Sequence, residues 1–151
     1  MDMPVAEVVL IADVLKERLN ISSILINKGQ KSLFIDERFV PQDKHLISDW
    51  GEMTCSGIEI KYDGLRYNMG SDFYKEIKPG SVMKSSTINL AEDYRLPKTG
   101  LCKFYVNLSF SSEPVSTDEL EKVLFIDSNT IEFRVDNMDF DKVYLKRHRD
   151  P

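Results

Sequence analysis

The residues of this chain best suited to acid–base or metal chemistry are its two histidines, His45 and His148. A hydrolase built on this sequence would use His45 as the base, with Asp43 or Asp49 to orient the ring. The sequence contains neither a GxSxG nucleophile elbow nor an HExxH zinc motif, and no Cys or carboxylate stands at ligand spacing from either histidine. We therefore expect no enzyme activity and no zinc site, and a hydrolase that uses His45 is the lesser alternative.

The acidic residues Asp136, Asp139 and Asp141 form a cluster that resembles half of a calcium-binding loop. The spacing, the central Gly and the final Glu of an EF-hand loop are absent, so a solvated turn is the favoured interpretation. The glycines are scattered over predicted turns and form no Gly-rich loop that would hold a phosphate. We expect no bound cofactor.

Aromatic residues supply the candidate binding site. We predict Trp50, Tyr67, Phe73 and Tyr74 as contact residues, because aromatic side chains are enriched at protein interfaces. Two alternatives stay open. In one, Trp50 packs over an end of the fold and the other rings complete the core. In the other, Trp50 and neighbouring tyrosines bind a carbohydrate or another small ligand.

The sequence predicts that the elements that position these side chains are mostly β-strands. Residues Cys102–Phe110 alternate between apolar and polar types, and Ile131–Val135 and Ile58–Tyr62 do the same. The pair Asp63-Gly64 then predicts a hairpin turn. Short strands separated by Gly and Pro predict an all-β fold, an antiparallel β-sandwich of about seven to nine strands.

Three segments leave the type of element open. Residues 5–19 fit both a helix and a strand, and their Val and Ile content favours a strand through about Ala12. Ser116 and Glu119 have the spacing of a capping box, which predicts one short helix near 117–122. Residues 143–145 are apolar enough for an added edge strand.

The 151-residue chain is 42% hydrophobic and 30% charged, with a net charge of −5. These values predict one globular domain over residues 1–136, followed by a polar C-terminal extension over 137–151. The acidic balance disfavours a nucleic-acid partner, because phosphates repel it. No apolar run is long enough to cross a bilayer and residues 1–20 lack the basic start of a signal peptide, so we expect a cytoplasmic protein without a membrane partner.

Two cysteines, Cys55 and Cys102, are too few for a disulfide framework and lack CxxC spacing. Cys102 lies at an apolar position of a predicted strand. A buried free thiol is therefore the favoured interpretation, because cysteine is often buried in protein interiors. A disulfide that joins two sheets is the alternative, and a catalytic thiol is disfavoured.

An ordered set of motifs carries a family resemblance. It consists of Asp63–Gly70, Ile77–Val82 and Ile88–Gly100, preceded by Asn20–Gly29 and followed by Ser128–Phe133. This set resembles the immunoglobulin-like, non-catalytic domain that precedes the catalytic domain of deuterolysin-type, peptidyl-Lys zinc metallopeptidases. The resemblance covers about residues 5–136 and implies an immunoglobulin-like antiparallel sandwich. It transfers no catalytic or metal-binding residue, because the zinc motif of those peptidases does not occur in this sequence.

Together these features predict a non-catalytic protein-binding module. The resemblance makes the hypothesis more concrete: an inhibitor or immunity-type regulator of a peptidase or toxin-like enzyme. Binding is expected through the loop Pro41–Gly51 and the segment Tyr67–Ile77. The identity of the partner and the oligomeric state stay open.

Overall fold

The structure is a computed structural model, which describes residues 5–66, 74–113 and 123–148. These residues form twelve strands, one α-helix and two short 3-10 helices, Glu37–Phe39 and Leu90–Glu92. The strands and the α-helix are β1 (Ala6–Val14), β2 (Leu19–Asn27), β3 (Leu33–Asp36), β4 (Glu52–Cys55), β5 (Ile58–Ile60), β6 (Tyr74–Ile77), β7 (Val82–Lys84), β8 (Ile88–Asn89), β9 (Thr99–Tyr105), β10 (Asn107–Ser111), β11 (Val123–Asp127), β12 (Ile131–Asp136) and α1 (Phe140–His148).

The strands form three antiparallel sheets. In the first sheet, β2 lies between β1 and the short strands β7 and β8. The second sheet has the order β11–β10–β3–β6, and the third has the order β12–β9–β4–β5. The prediction of an antiparallel all-β sandwich is therefore confirmed, whereas its immunoglobulin-like topology stays a prediction.

The structure has twelve strands rather than the predicted seven to nine, and one reason is that the segment predicted as one strand, Cys102–Phe110, changes sheet partway along. The segment Thr99–Ser111 is interrupted at Val106, and its two halves, β9 and β10, belong to different sheets. β11 and β12 are divided in the same way around residues 128–130. Alternation of side chains predicts Cys102–Phe110 as one strand, because the pattern continues across Val106.

Alternate positions along the strands supply the side chains of the core. Along β2, buried and half-buried residues alternate through all nine positions, and the buried set includes Leu19, Ile21 and Leu25. Buried side chains from all three sheets form one hydrophobic cluster, which includes Phe104 and Phe110. The core therefore lies between the inner faces of the sheets, where alternate residues of each strand point.

The first and last elements resolve two of the open predictions. Residues Ala6–Val14 form a strand that pairs with β2 over its whole length, so the favoured strand prediction is confirmed and the helical alternative is wrong. The added edge strand at 143–145 is also wrong, since these residues lie within helix α1. Phe140 and Tyr144, one helical turn apart, are buried and hold α1 against the sandwich. The helix predicted near 117–122 lies outside the described residues.

The two cysteines form a disulfide, so the favoured free-thiol interpretation is wrong. The alternative of a disulfide is confirmed, although not as a link between two sheets. Cys55 on β4 and Cys102 on β9 are register partners on neighbouring strands of one sheet. Both are buried, and their pairing follows from the strand register rather than from their spacing in the sequence.

No helix among the described residues is both long and apolar enough to cross a membrane.

Candidate functional site

A cleft of about 600 Å³ lies beside helix α1. Its walls come from the turn between β1 and β2, the loop after Val40, the 3-10 helix Leu90–Glu92 and α1 itself. We call it the α1 cleft. Its lining residues are Glu17, Arg18, His45, Asn89, Glu92, Lys142, Val143, Lys146 and Arg147.

Two contacts hold the walls of the α1 cleft in place. The backbone N–H of Asp139, just before α1, donates to the carbonyl oxygen of Lys16 at 2.7 Å. Near the other end of the helix, His148 Nε2 lies 2.8 Å from the carbonyl oxygen of Glu92. The helix is therefore attached to both the β1–β2 turn and the 3-10 helix.

His45 lies in the α1 cleft, but its partner is not the predicted one. Its Nδ1 is 2.8 Å from Glu92 Oε2, so neither Asp43 nor Asp49 orients the ring. Asp49 instead accepts a hydrogen bond from the buried Tyr94 hydroxyl at 3.2 Å. The sequence could not show the contact with Glu92, because this residue lies 47 positions away from His45.

The described lining residues of the α1 cleft are charged or polar except for Val143, and no Ser, Thr or Cys is among them. Across residues 5–66, 74–113 and 123–148, no three His, Cys, Asp or Glu side chains form a group that could hold a metal ion. Asp139 pairs with lysines and Asp141 with Arg95, contacts typical of a solvated surface.

Asp93, which no sequence motif indicated, lies buried beneath the C-terminal end of α1. Its side chain is 2% exposed, and its Oδ1 has no hydrogen-bond partner among the described residues. Arg147 Nε and His148 Nε2 each lie 3.9 Å from that oxygen. Burial raises the pKa of the Asp93 carboxyl, while the nearby Arg147 acts in the opposite direction.

The structure does not support Trp50 as a surface contact residue. Its side chain is only 2% exposed and packs against Phe104, with ring centroids 6.0 Å apart. A buried indole cannot stack on a sugar, so Trp50 itself is not available as a carbohydrate contact. Its burial agrees with the alternative in which Trp50 packs within the fold, and ligand binding elsewhere stays a prediction.

The other three predicted contact residues do not assemble into a described site. Tyr67 and Phe73 lie outside the described residues. Tyr74 begins β6, where it is half-buried and is the register partner of Asp36. Of the four predicted residues, Tyr74 alone is both described and partly accessible.

The outer face of the first sheet carries an aliphatic surface that was not among the predicted sites. It consists of Val9, Ile11, Ile24, Ile26 and Val82, and we call it the aliphatic face. Cross-strand pairing places Val9 opposite Ile24 and Ile26 opposite Val82, so these side chains are neighbours. None of the five is buried, and the exposed fractions of Ile11 and Val82 reach 50% and 52%.

The aliphatic face is separate from the core. The inner residues Val8 and Leu10 of β1 and Leu25 of β2 are the ones that join the buried cluster. The signal for the outer face was present in the sequence as near-continuous runs, Val8–Ala12 and Ile24–Ile26. A strand with one solvated face should alternate instead, so apolar residues on both faces indicate that the outer face has a role of its own.

Comparison with models of known protein families found no match to this chain, and neither did comparison with curated proteins.

Proposed function

We propose that this chain is a non-catalytic protein-binding module and that the aliphatic face is its contact surface. The observation that carries the proposal is the cluster of five aliphatic side chains on the outside of the first sheet. Contiguous exposed apolar surface is uncommon on soluble proteins except where they bind something. Full burial of an exposed Val or Ile contributes about 1.5–3 kcal/mol, and the gain is smaller for Val9, Ile24 and Ile26, which are already half-buried.

Charged groups border the aliphatic face and suit a protein partner. Glu7 and Lys28 form an ion pair at one side, and Glu7 is the register partner of Ile26. Lys84 is the register partner of Ile24 on the other side. An apolar centre with a charged rim is the usual composition of a protein–protein contact.

The more specific form of the proposal is an inhibitor or immunity-type regulator of a peptidase or toxin-like enzyme. The support for it is the sequence resemblance to a domain that accompanies zinc metallopeptidases. The cytoplasmic location expected from the sequence stays a prediction. The Cys55–Cys102 disulfide weighs against it, because such bonds persist mainly in oxidising compartments.

The proposal is tested by affinity purification with wild type, Ile24→Asp and Ile58→Asp. Wild type should recover one protein in stoichiometric amount, and Ile24→Asp should weaken that complex by about 2 kcal/mol or more, because a charge would enter the contact. Ile58 is the matched control, since it is 68% exposed on β5 of a different sheet. Ile58→Asp should bind as wild type does, and circular dichroism should show that both variants are folded.

Three results would overturn the proposal. The first is the absence of any stoichiometric partner, and the second is a partner that Ile24→Asp binds as tightly as wild type does. The third is a wild-type dimer in light scattering that Ile24→Asp converts to a monomer. That result would assign the aliphatic face to contact with a second copy of this chain.

A further inference from the structure

The α1 cleft is positively charged, although the chain as a whole is acidic. Four permanent cations and two carboxylates line it, a net charge of +2, whereas the net charge of the whole chain is −5. The cations are Arg18, Lys142, Lys146 and Arg147, and the carboxylates are Glu17 and Glu92.

The cations of the α1 cleft are only partly neutralised by the protein. Within the described residues, Arg18 and Lys146 make no ion pair, and the one side-chain acceptor of Arg18 is the neutral Asn20. Lys142 lies at 3.9 Å from its nearest carboxylate oxygen, on Asp139. Arg147 lies at 3.8 Å from the Glu92 carboxylate, which already contacts His45, and at 3.9 Å from the buried carboxylate of Asp93. Donors are therefore left for a ligand.

Helix stability alone does not account for this arrangement. Lys146 and Arg147 lie in the last turn of α1, where cations interact favourably with the helix dipole. That effect does not explain Lys142, in the first half of the helix, or Arg18, which comes from the β1–β2 turn. Two separate segments of the chain thus contribute cations to one cleft.

We propose that the α1 cleft binds a small molecule that carries a phosphate monoester together with hydroxyl groups. A phosphate monoester has a charge close to −2 at neutral pH, which balances the net charge of the lining residues. The guanidinium groups of Arg18 and Arg147 are planar, and their paired N–H donors match the spacing of phosphate oxygens. Glu17, which makes no ion pair within the described residues, is placed to accept a hydrogen bond from a ligand hydroxyl.

The size of the cleft fits such a ligand. Its volume of about 600 Å³ lies within the usual range of small-molecule sites. None of its lining residues belongs to the aliphatic face. Ligand binding in the α1 cleft and partner binding on the aliphatic face can therefore succeed or fail independently.

The test is a titration of the full chain with glycerol phosphate, followed by amide NMR. Shifts should be confined to the lining segments of the α1 cleft, and glycerol without the phosphate should produce none. Lys146→Gln and Arg18→Gln should each weaken binding about tenfold, because each removes a charged donor. The matched controls are Lys98→Gln and Arg134→Gln, exposed residues outside the cleft that should leave the affinity unchanged.

Four results would overturn the proposal. Three of them are an absence of shifts at millimolar glycerol phosphate, shifts that lie outside the lining segments, and affinities that Lys146→Gln changes no more than Lys98→Gln does. The fourth is equal binding of citrate and glycerol phosphate, which would overturn the assignment to phosphate. Because neither lysine is buried, loss of folding should not obscure the result, and the NMR spectrum itself reports it.

Discussion

At the scale of single residues, the carboxyl group of Asp93 lies in an environment that disfavours its charged form. Its side chain is buried, one of its oxygens has no hydrogen-bond partner among the described residues, and Arg147 and His148 approach no closer than 3.9 Å. Burial penalises the charged carboxylate, so the pKa of Asp93 lies above its ordinary value. The folded chain therefore binds this proton more tightly than the unfolded chain does.

This difference in proton binding sets the sign of the pH dependence of folding stability. The proton on Asp93 contributes to stability below the ordinary pKa of Asp, about 3.9, and that contribution is lost as the pH rises through the raised folded value. We predict that Asp93→Asn gains stability relative to wild type as the pH rises through this window. Urea unfolding of both proteins at several pH values measures the difference.

A matched control for Asp93→Asn is Asp43→Asn. Asp43 is exposed and makes no hydrogen bond or ion pair within the described residues, so its substitution reports the effect of removing a surface carboxyl group. A difference between Asp93→Asn and wild type that stays constant or falls as the pH rises would contradict the prediction.

At the scale of elements, β4 and β9 are joined twice, by their backbone ladder and by the Cys55–Cys102 disulfide. The two cysteines are 47 positions apart, so the bond closes a long loop in the unfolded chain. Restricting that loop lowers the entropy of the unfolded state. The disulfide thereby stabilises the sheet that contains Phe104, against which Trp50 and Tyr94 pack.

We predict that reduction of the disulfide lowers the free energy of unfolding by about 4 kcal/mol, the value of the chain-entropy relation for a loop of this length. Urea unfolding with and without dithiothreitol measures the change. The double variant Cys55→Ala, Cys102→Ala should be less stable than wild type and insensitive to dithiothreitol. A wild type whose stability is the same in both conditions would contradict the prediction.

Helix α1 shows how an element can be missed although its signals are in the sequence. Asp141 lies in its first turn and Lys146–His148 lie in its last, the charge order that the helix dipole favours. Phe140 and Tyr144 have the spacing of residues on one helical face. The three-residue apolar run at 143–145 predicts a strand. In the structure Phe140 and Tyr144, four residues apart, instead form the buried face of a helix.

At the scale of the whole molecule, the edge of the first sheet is tied to the segment between β11 and β12 by one side chain. The Leu10 backbone N–H donates to Asn129 Oδ1 at 2.7 Å, and Asn129 Nδ2 donates to the Leu10 carbonyl oxygen at 3.2 Å. This amide occupies both hydrogen-bonding groups of an edge-strand residue. It therefore links the sheets through hydrogen bonds in addition to the shared core.

We predict that Asn129→Ala lowers the free energy of unfolding by about 1–2 kcal/mol, because two hydrogen bonds to the backbone are lost. Thermal unfolding followed by circular dichroism measures the change. Asn107→Ala is the matched control, since Asn107 makes one exposed hydrogen bond to Asp127 and should change stability by less than about 0.5 kcal/mol. Equal effects of the two substitutions would contradict the linking role of Asn129.

The predictions for His45 and Trp50 relied on local features of the sequence, which do not determine the tertiary contacts of these residues. The expectation that His45 pairs with Asp43 or Asp49 used closeness along the chain, whereas the observed partner, Glu92, arrives from a distant 3-10 helix. The expectation that Trp50 is a contact residue used its place in a predicted loop, yet its ring lies in the core. The α1 cleft combines four separate segments, and no pattern within one segment could indicate it.

The sequence by itself determined the all-β class and several of the strands, among them β5 and β12, because side chains alternate across a strand and the period of two is a local property. It also contained the aliphatic runs of β1 and β2, although not their exposure. Only the tertiary structure decided that Cys55 meets Cys102, that Asp93 and Trp50 are buried, and that the cations of Arg18 and α1 line one cleft. Those outcomes depend on the register and packing of segments far apart in the chain, which local alternation does not specify.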